Sequence, residues 1–420
     1  MHHLDKAADL DLLLEDIGNR PIVMLGEASH GTHEYYTWRT AISKRLIQEK
    51  GFQFIAVEGD WPDCYKINRY VKGYSEEGET IKDVLLNFDR WPTWMWANWE
   101  VASLAEWMKE YNKTLSDEDK VGFYGLDVYS LWDSMYAIMD YLEKEDPQAA
   151  QSIKKAIQCF APFEEDEQQY ARYSLTEHSC RDKVLALLKD IRANAQLFDG
   201  DKEAQFSTEQ NALIAVNAEK YYTAMMSFDN ESWNVRDRHM METLDRLLNF
   251  HGKKSKGIVW EHNTHIGDAR ATNMTQAGMV NIGQLAREEH GVNQVYLVGF
   301  GSYEGTVIAG NEWGAAMKKM QVPKAKEGSI EHQLHEVCNS SNGYLLFNTE
   351  NAIAKYSESI KHRAIGVVYN PDNERFGNYV PSVMAKRYDA FIYLDKTMAL
   401  HPLRLHSNSH KMPDTYPFNY

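Results

Sequence analysis

The stretch Ile22-Val23-Met24-Leu25-Gly26-Glu27-Ala28-Ser29-His30-Gly31-Thr32 decides how the rest of the chain reads. Its first four residues are too uniformly apolar for a half-solvated hairpin strand and suit a strand buried on both faces of a sheet. A turn with two glycines follows, and Tyr35 to Glu49 then carry a helical pattern. Strand, turn and helix in that order predict one unit of an α/β fold, with an acid and a histidine on the turn.

The alternation recurs outward from this unit. Short β-branched or aromatic runs at Phe54 to Val57, Val121 to Tyr124, Ile258 to Trp260, Val295 to Val298, Tyr344 to Phe347, Ile365 to Tyr369 and Phe391 to Leu394 predict further strands, and a helical pattern from Ile282 to Glu289 precedes the run at Val295. The predicted fold is therefore α/β, a mainly parallel central sheet flanked by helices. Between Val128 and Lys256 strand signals lapse, while apolar residues keep helical spacing at Leu185, Leu188 and Ile191, then at Leu213, Val216, Tyr221 and Met225. This predicts a large helical insertion, residues 128–256, splitting a catalytic core of residues 1–127 and 257–400. Residues 401–420 are polar and contain proline, so an irregular tail is expected.

Composition narrows the function classes. With 43% hydrophobic, 25% charged and 12% aromatic residues the chain lies in the globular range. A formal charge of −16 opposes binding to nucleic acid or anionic lipid, and the densest basic cluster, Lys253, Lys254 and Lys256, reads as a solvated connection. The acidic first residues look like neither a signal nor a transit sequence, and no apolar run is long enough to span a bilayer. Cys64, Cys159, Cys180 and Cys338 are scattered, so reduced thiols in a cytoplasm are expected.

Unusual polar residues follow the predicted strands: Glu27 after the first, Glu58 and Asp60 after the second, Asp127 after the third, and Glu261, His262 and His265 after the fourth. The carboxyl edge of an open α/β sheet is where ligands bind, so these distant positions are expected to meet there. His30 is the candidate general base, its ordinary pKa near 6.5 leaving it largely neutral at pH 7, with Glu27 to orient the imidazole. Against this stands a plainer role for Glu27, complementing the N-terminus of the next helix. For Glu58 the alternative is a structural pair with Arg39. His30, Glu58, His262 and His265 offer zinc-type ligands, but no His-Glu-x-x-His helix or cysteine knuckle accompanies them, so no metal or other cofactor is expected. The glycines of Gly299-Phe300-Gly301-Ser302-Tyr303-Glu304-Gly305 have the wrong spacing for a phosphate loop, and no serine has a nucleophile-elbow frame. Of Trp91, Trp94, Trp96 and Trp99, two are expected in the core; Trp94 and Trp96, with Asp60 and Trp61, are the candidates for substrate contact.

At these segments the chain resembles the erythromycin esterase family, including bacterial homologues labelled succinoglycan biosynthesis proteins. The resemblance rests on Leu25 to Glu34, Arg39, Ala56 to Trp61, Trp260 to His265 and Gly299 to Gly301, in order across nearly the whole chain. It implies a metal-independent esterase in which His30 activates water beside Glu27, with Arg39, Glu58, His262 and His265 completing the site. It also implies a small-molecule ester or macrolactone substrate. Trp61-Pro62-Asp63 and the tryptophan cluster resemble members without an established substrate more than macrolide-inactivating ones.

Overall fold

The computed structural model describes residues 1–145, 150–163, 166–174, 179–194, 201–226 and 230–404. Its strands, in chain order, are β1 (His2–His3), β2 (Ile22–Leu25), β3 (Phe54–Asp60), β4 (Gly122–Asp127), β5 (Gly257–Trp260), β6 (Val295–Ala309), β7 (Lys318–Val322), β8 (Gly343–Leu346), β9 (Ser359–Arg363), β10 (Tyr379–Val383) and β11 (Ala390–Thr397). Nine form one sheet in the order β1-β8-β11-β6-β2-β5-β3-β4, with β7 added to the far end of β6. The six strands from β11 to β4 are mutually parallel, whereas β8, β1 and β7 pair antiparallel.

Alternation along the strands explains why both faces are covered. Val23 and Leu25 of β2, Ile55 and Val57 of β3 and Ile258 and Trp260 of β5 enter one core with the helices His33–Lys50 and Trp99–Asn112. Their neighbours Ile22, Met24, Phe54, Ala56 and Val259 enter another, with the helices Glu231–His251 and Ile282–His290. The expected insertion is present as the helices Leu131–Glu145, Ala150–Phe160, Glu167–Ser174, Arg181–Asn194, Lys202–Ala224 and Glu231–His251, between β4 and β5. It packs around its own apolar cluster, which includes Met135, Ile138, Leu187, Ile191, Leu213 and Val216.

Several expectations need correction. Leu185 and Met225 are exposed, and Val184 and Leu187 take the inward positions. Ile365 to Tyr369 is no sheet strand; it makes isolated bridges to Ser29 and Gly310, with Ile365 and Tyr369 buried against Val307, Ala309 and Val322 and Val368 exposed. Residues 401–403 do not trail away: Pro402 bridges to Asn98 and Leu403 is buried, while residues 405–420 lie outside the described residues. Cys159 and Cys180 form a disulfide where free thiols were expected, because the packed helices Ala150–Phe160 and Arg181–Asn194 bring these residues together; Cys64 and Cys338 are free. The Gly299 to Gly305 stretch lies within β6, and side chains at Gly299 and Gly301 would collide with Tyr388 and Phe391. No helix among the described residues is long and apolar enough to cross a membrane.

The first turn is held by close backbone approach. Gly31 O accepts from Ile308 N at 2.9 Å and from Leu400 N at 3.0 Å, and a Cβ at Gly31 would lie 1.9 Å from Ile308 O. We expect Gly31→Ala to lower unfolding stability in urea by about 1–3 kcal/mol, the range for forced overpacking. Gly377→Ala, whose Cβ meets nothing, should stay within about 0.5 kcal/mol. Equal effects of the two would show that the close approach does not constrain the turn.

Candidate active site

Adjacent parallel strands lie about 4.8 Å apart, so neighbours in the sheet bring their carboxyl ends together whatever their separation in sequence. The neighbours β2, β5, β3 and β4 deliver Glu27, His262, Glu58 and Asp127 to one edge. On the β2 turn, His30 Nδ1 lies 2.9 Å from Glu27 Oε1, and Arg39 Nη2 donates to Glu27 Oε2 at 2.6 Å. Arg39 is fully buried, its guanidinium 4.4 Å from the Tyr36 ring centre and 4.7 Å from that of Trp260. It therefore acts on His30 through Glu27 and has no access to a bound molecule.

Glu58 is not the partner of Arg39. Its Oε1 accepts from Arg236 Nη2 at 2.8 Å and its Oε2 from the His262 backbone N–H at 2.8 Å. Arg236 also grips Asp127 with two bonds, Nε to Oδ1 at 2.9 Å and Nη2 to Oδ2 at 2.6 Å. Its Nη1 lies 3.0 Å from His265 Nε2, whose ring is set from the other side by Asp237 Oδ1, 3.0 Å from Nδ1, and by stacking on Trp233 at 4.5 Å. Trp233, Arg236 and Asp237 all come from the last insertion helix, Glu231–His251. His262 accepts the Thr264 N–H on Nδ1 and faces His30 with ring centres 4.9 Å apart.

Burial and neighbours set the charges. Burial disfavours the His30 cation, but Glu58 and the hydrogen-bonded Glu27 outweigh it and raise its pKa above the ordinary value. Burial, with His30 nearby, pushes His262 well below that value, so it is neutral. Burial opposes the Glu58 charge as well, yet His265, His30 and Arg236 hold this carboxyl far below the usual range. Asp60 goes the other way: burial outweighs its ion pair with Arg90, and its pKa is pushed up to about 7.

A cavity of about 620 Å³ opens over this edge, within the size range of small-molecule sites. Of the residues singled out in the sequence, His30, Glu58, Asp60, Trp96, His262 and His265 line it. Trp61 and Trp94 are not among its walls: Trp61 is buried, stacked on Tyr124 and bonded to Ser207, and Trp94 is buried beside Trp91. Much of the remaining wall is aromatic, with Trp91, Trp233, Trp313, Tyr129, Tyr221 and Tyr222, and Arg90, Asp127 and Arg236 add charge. Arg236, Asp237 and Trp233 were missed in the sequence. Their signal is faint, a Trp followed at i+3 and i+4 by an Arg-Asp pair on one helical face.

A model of the family described as erythromycin esterase matches residues 47–397. The chain belongs to the erythromycin esterase family. Two curated members align over almost all of it. One is the erythromycin esterase type II of Escherichia coli, 23% identical and covered over 94% of each chain. The other, the putative hydrolase YbfO of Bacillus subtilis (strain 168), is 20% identical over 92% of this chain and 86% of its own. Among solved structures, a succinoglycan biosynthesis protein superposes with a TM-score of 0.76 at 21% identity over 95% of both chains. A mutant of the erythromycin esterase EreC in its open conformation gives 0.67 at 14% identity, over 93% of this chain and 94% of the other. The fold is thus that of the erythromycin esterases, and the family match spans Glu58, Arg236, His262 and His265, with the His30 turn lying just before it.

Arg236 neutralises two buried carboxylates at once, so its removal should cost more than a typical core change. We expect Arg236→Met to lose about 3–5 kcal/mol of unfolding free energy, the cost of leaving a buried partner charge uncompensated, and Arg236→Lys to fall in between because it cannot form the fork. Denaturant titration of the three proteins measures this. A loss below about 1 kcal/mol for Arg236→Met would show that Glu58 and Asp127 are neutralised in another way.

Proposed function

We propose that the protein is a hydrolase of carboxylic esters or lactones in which His30 takes a proton from the water that attacks the carbonyl. The supporting observation is the chain Arg39–Glu27–His30: Glu27 occupies Nδ1 of an imidazole that lines the cavity, leaving Nε2 as the basic atom on the cavity side. Glu27 also stabilises the imidazolium once the proton has moved. The developing oxyanion is met by Arg236, His262 and His265 on the same cavity, a contribution of about 3–4 kcal/mol for one well-placed donor. The aromatic walls fit a large, partly apolar substrate.

The side chains that could otherwise form an acyl-enzyme are poorly placed for it. Ser29 is buried and hydrogen-bonded to Thr32, Ser302 is buried and accepts from Tyr35, and the Cys64 thiol is buried with its pKa pushed well up. Metal-assisted hydrolysis by the same residues, His30, Glu58, His262 and His265, is the second reading, and one neighbouring observation bears on it. His33, three residues beyond His30, converges with Glu100 and His401 on a metal-sized volume. Activity of wild type and His401→Ala after exhaustive chelation, with and without added zinc, separates the two readings: zinc-dependent activity that persists in His401→Ala places the ion among the cavity residues, and activity independent of zinc supports His30 alone.

On a panel of macrolides and activated esters, His30→Gln should lower kcat at least about a hundredfold while leaving the fold intact. A folded variant keeping more than a tenth of the activity removes His30 from this role. Because the base works unprotonated and its pKa is raised, kcat/KM should increase with pH through an inflection above about 6.5. Asp60 titrates in the same range, so the limb must persist in Asp60→Asn. Intact-protein mass spectrometry during a single turnover should show no acyl adduct; one that disappears in Ser29→Ala or Cys64→Ala, together with activity, would replace water attack by a covalent mechanism.

A further inference from the structure

We propose that His33, Glu100 and His401 form a binding site for a divalent transition-metal ion of the zinc type, which braces the catalytic turn and is separate from the reacting groups. The three donors come from three segments: the start of the helix His33–Lys50, the first turn of the helix Trp99–Asn112, and the chain after β11. One ligand atom from each lies within 4.8 Å of the others, and this is the one such group among the described residues. Both imidazoles aim Nδ1 at a single oxygen, Glu100 Oε1, at 2.6 Å from His33 and 2.6 Å from His401.

The chemistry of the donors suits such an ion. Two imidazole nitrogens and one carboxylate oxygen are an established zinc set, with bonds of about 2.0–2.2 Å that place ligand atoms about 3.3 Å apart in a tetrahedron. Reaching that spacing requires the two rings to back away from Oε1 by less than an ångström. His401 keeps 40% of its side chain exposed, giving an ion a route in and a fourth position for water, while Glu100 is 1% exposed. Among the described residues the Glu100 carboxylate has only the two histidines as ion-pair partners, so when they are neutral its buried charge has no full counter-charge there. A divalent ion supplies one, and Glu34 adds a second carboxyl to the local field.

The backbone already holds the ligands in place. His33 N donates to Met398 O at 2.9 Å, Leu400 N to Gly31 O at 3.0 Å, and Trp99 N to His401 O at 3.0 Å. Asn98 caps the helix bearing Glu100 by accepting the Val101 N–H at 2.8 Å. Donors fixed in this way lose little freedom on binding, which is what a tight site needs. An ion here would join the turn that carries His30 to the segment that carries Trp96, both of which line the cavity.

The test is equilibrium dialysis of chelator-treated protein against zinc chloride, with cobalt(II) absorption reporting coordination and a thermal melt reporting the brace. We expect one zinc per chain, a cobalt spectrum of tetrahedral intensity, and a higher melting midpoint with zinc. Because losing even an outer-shell partner weakens metal binding about 10–100-fold, His401→Ala and Glu100→Gln should each bind zinc at least about tenfold more weakly, and zinc should not raise their midpoints. His401 is half-exposed near the end of the described chain, so His401→Ala is the milder change for the fold than Glu100→Gln at a buried carboxylate. His265→Ala should bind zinc like the wild type. Absence of saturable binding, or equal binding by wild type and His401→Ala, overturns the proposal. Binding lost in His265→Ala and kept in His401→Ala would move the ion to the catalytic cavity and equally overturn it. No arm reads hydrolysis, so the result stands apart from the assignment of His30.

Discussion

Carboxylates can be buried at the carboxyl edge of a parallel sheet only if cations are buried with them. Here two arginines meet that condition in different ways. Arg39 is sealed beneath the first turn between two aromatic rings and serves Glu27 alone. Arg236 comes from the insertion and spans Glu58 and Asp127 on the adjoining strands β3 and β4. Glu261 has no such cation bonded to it: both its oxygens are buried with no hydrogen bond, and burial, with Glu58 and Asp237 close by, raises its pKa far enough to leave it neutral.

The division of labour between the arginines fixes the state of the histidines. Two carboxylates act on His30 and none is bonded to the His262 ring, so the same burial leaves one imidazole raised and the other strongly lowered, 4.9 Å apart. A pair of like groups pushed in opposite directions is how one site holds both a base and a neutral donor. Trp96 adds a steric condition by donating from Nε1 to Glu58 O at 3.0 Å, so an aromatic wall of the cavity also positions the carboxylate that acts on His30.

Much of this was legible in the sequence because it depends on local signals. Apolar runs as short as Ile22 to Leu25 mark buried parallel strands, and a parallel sheet brings the residues after them to one edge without further information. Glu27, His30, Glu58, His262 and His265 follow from that rule. What escaped depends on contacts between distant segments. Nothing near Arg39 tells that Glu27 and not Glu58 is its partner, since both follow strands in the same sheet. Trp61 has the composition of a binding residue, yet its side chain points into the core beside Tyr124. Ile365 and Tyr369 are buried because they pack on Val307, Ala309 and Val322 of β6 and β7, and the same apolar pattern serves a strand and a partly buried loop alike.

The split in the chain has a mechanical consequence. Glu27, His30, Glu58 and His262 stand on the sheet, while Arg236, Asp237 and Trp233, which fix Glu58 and His265, stand on a helix that also packs against the insertion. Arg236 ties that helix to β3 and β4, so helix and sheet together hold Glu58, Asp127 and the His265 ring. Glu58 favours the His30 cation and Arg236 opposes it, so the basicity of the proposed catalytic group is tied to the packing of an element more than 200 residues away in sequence.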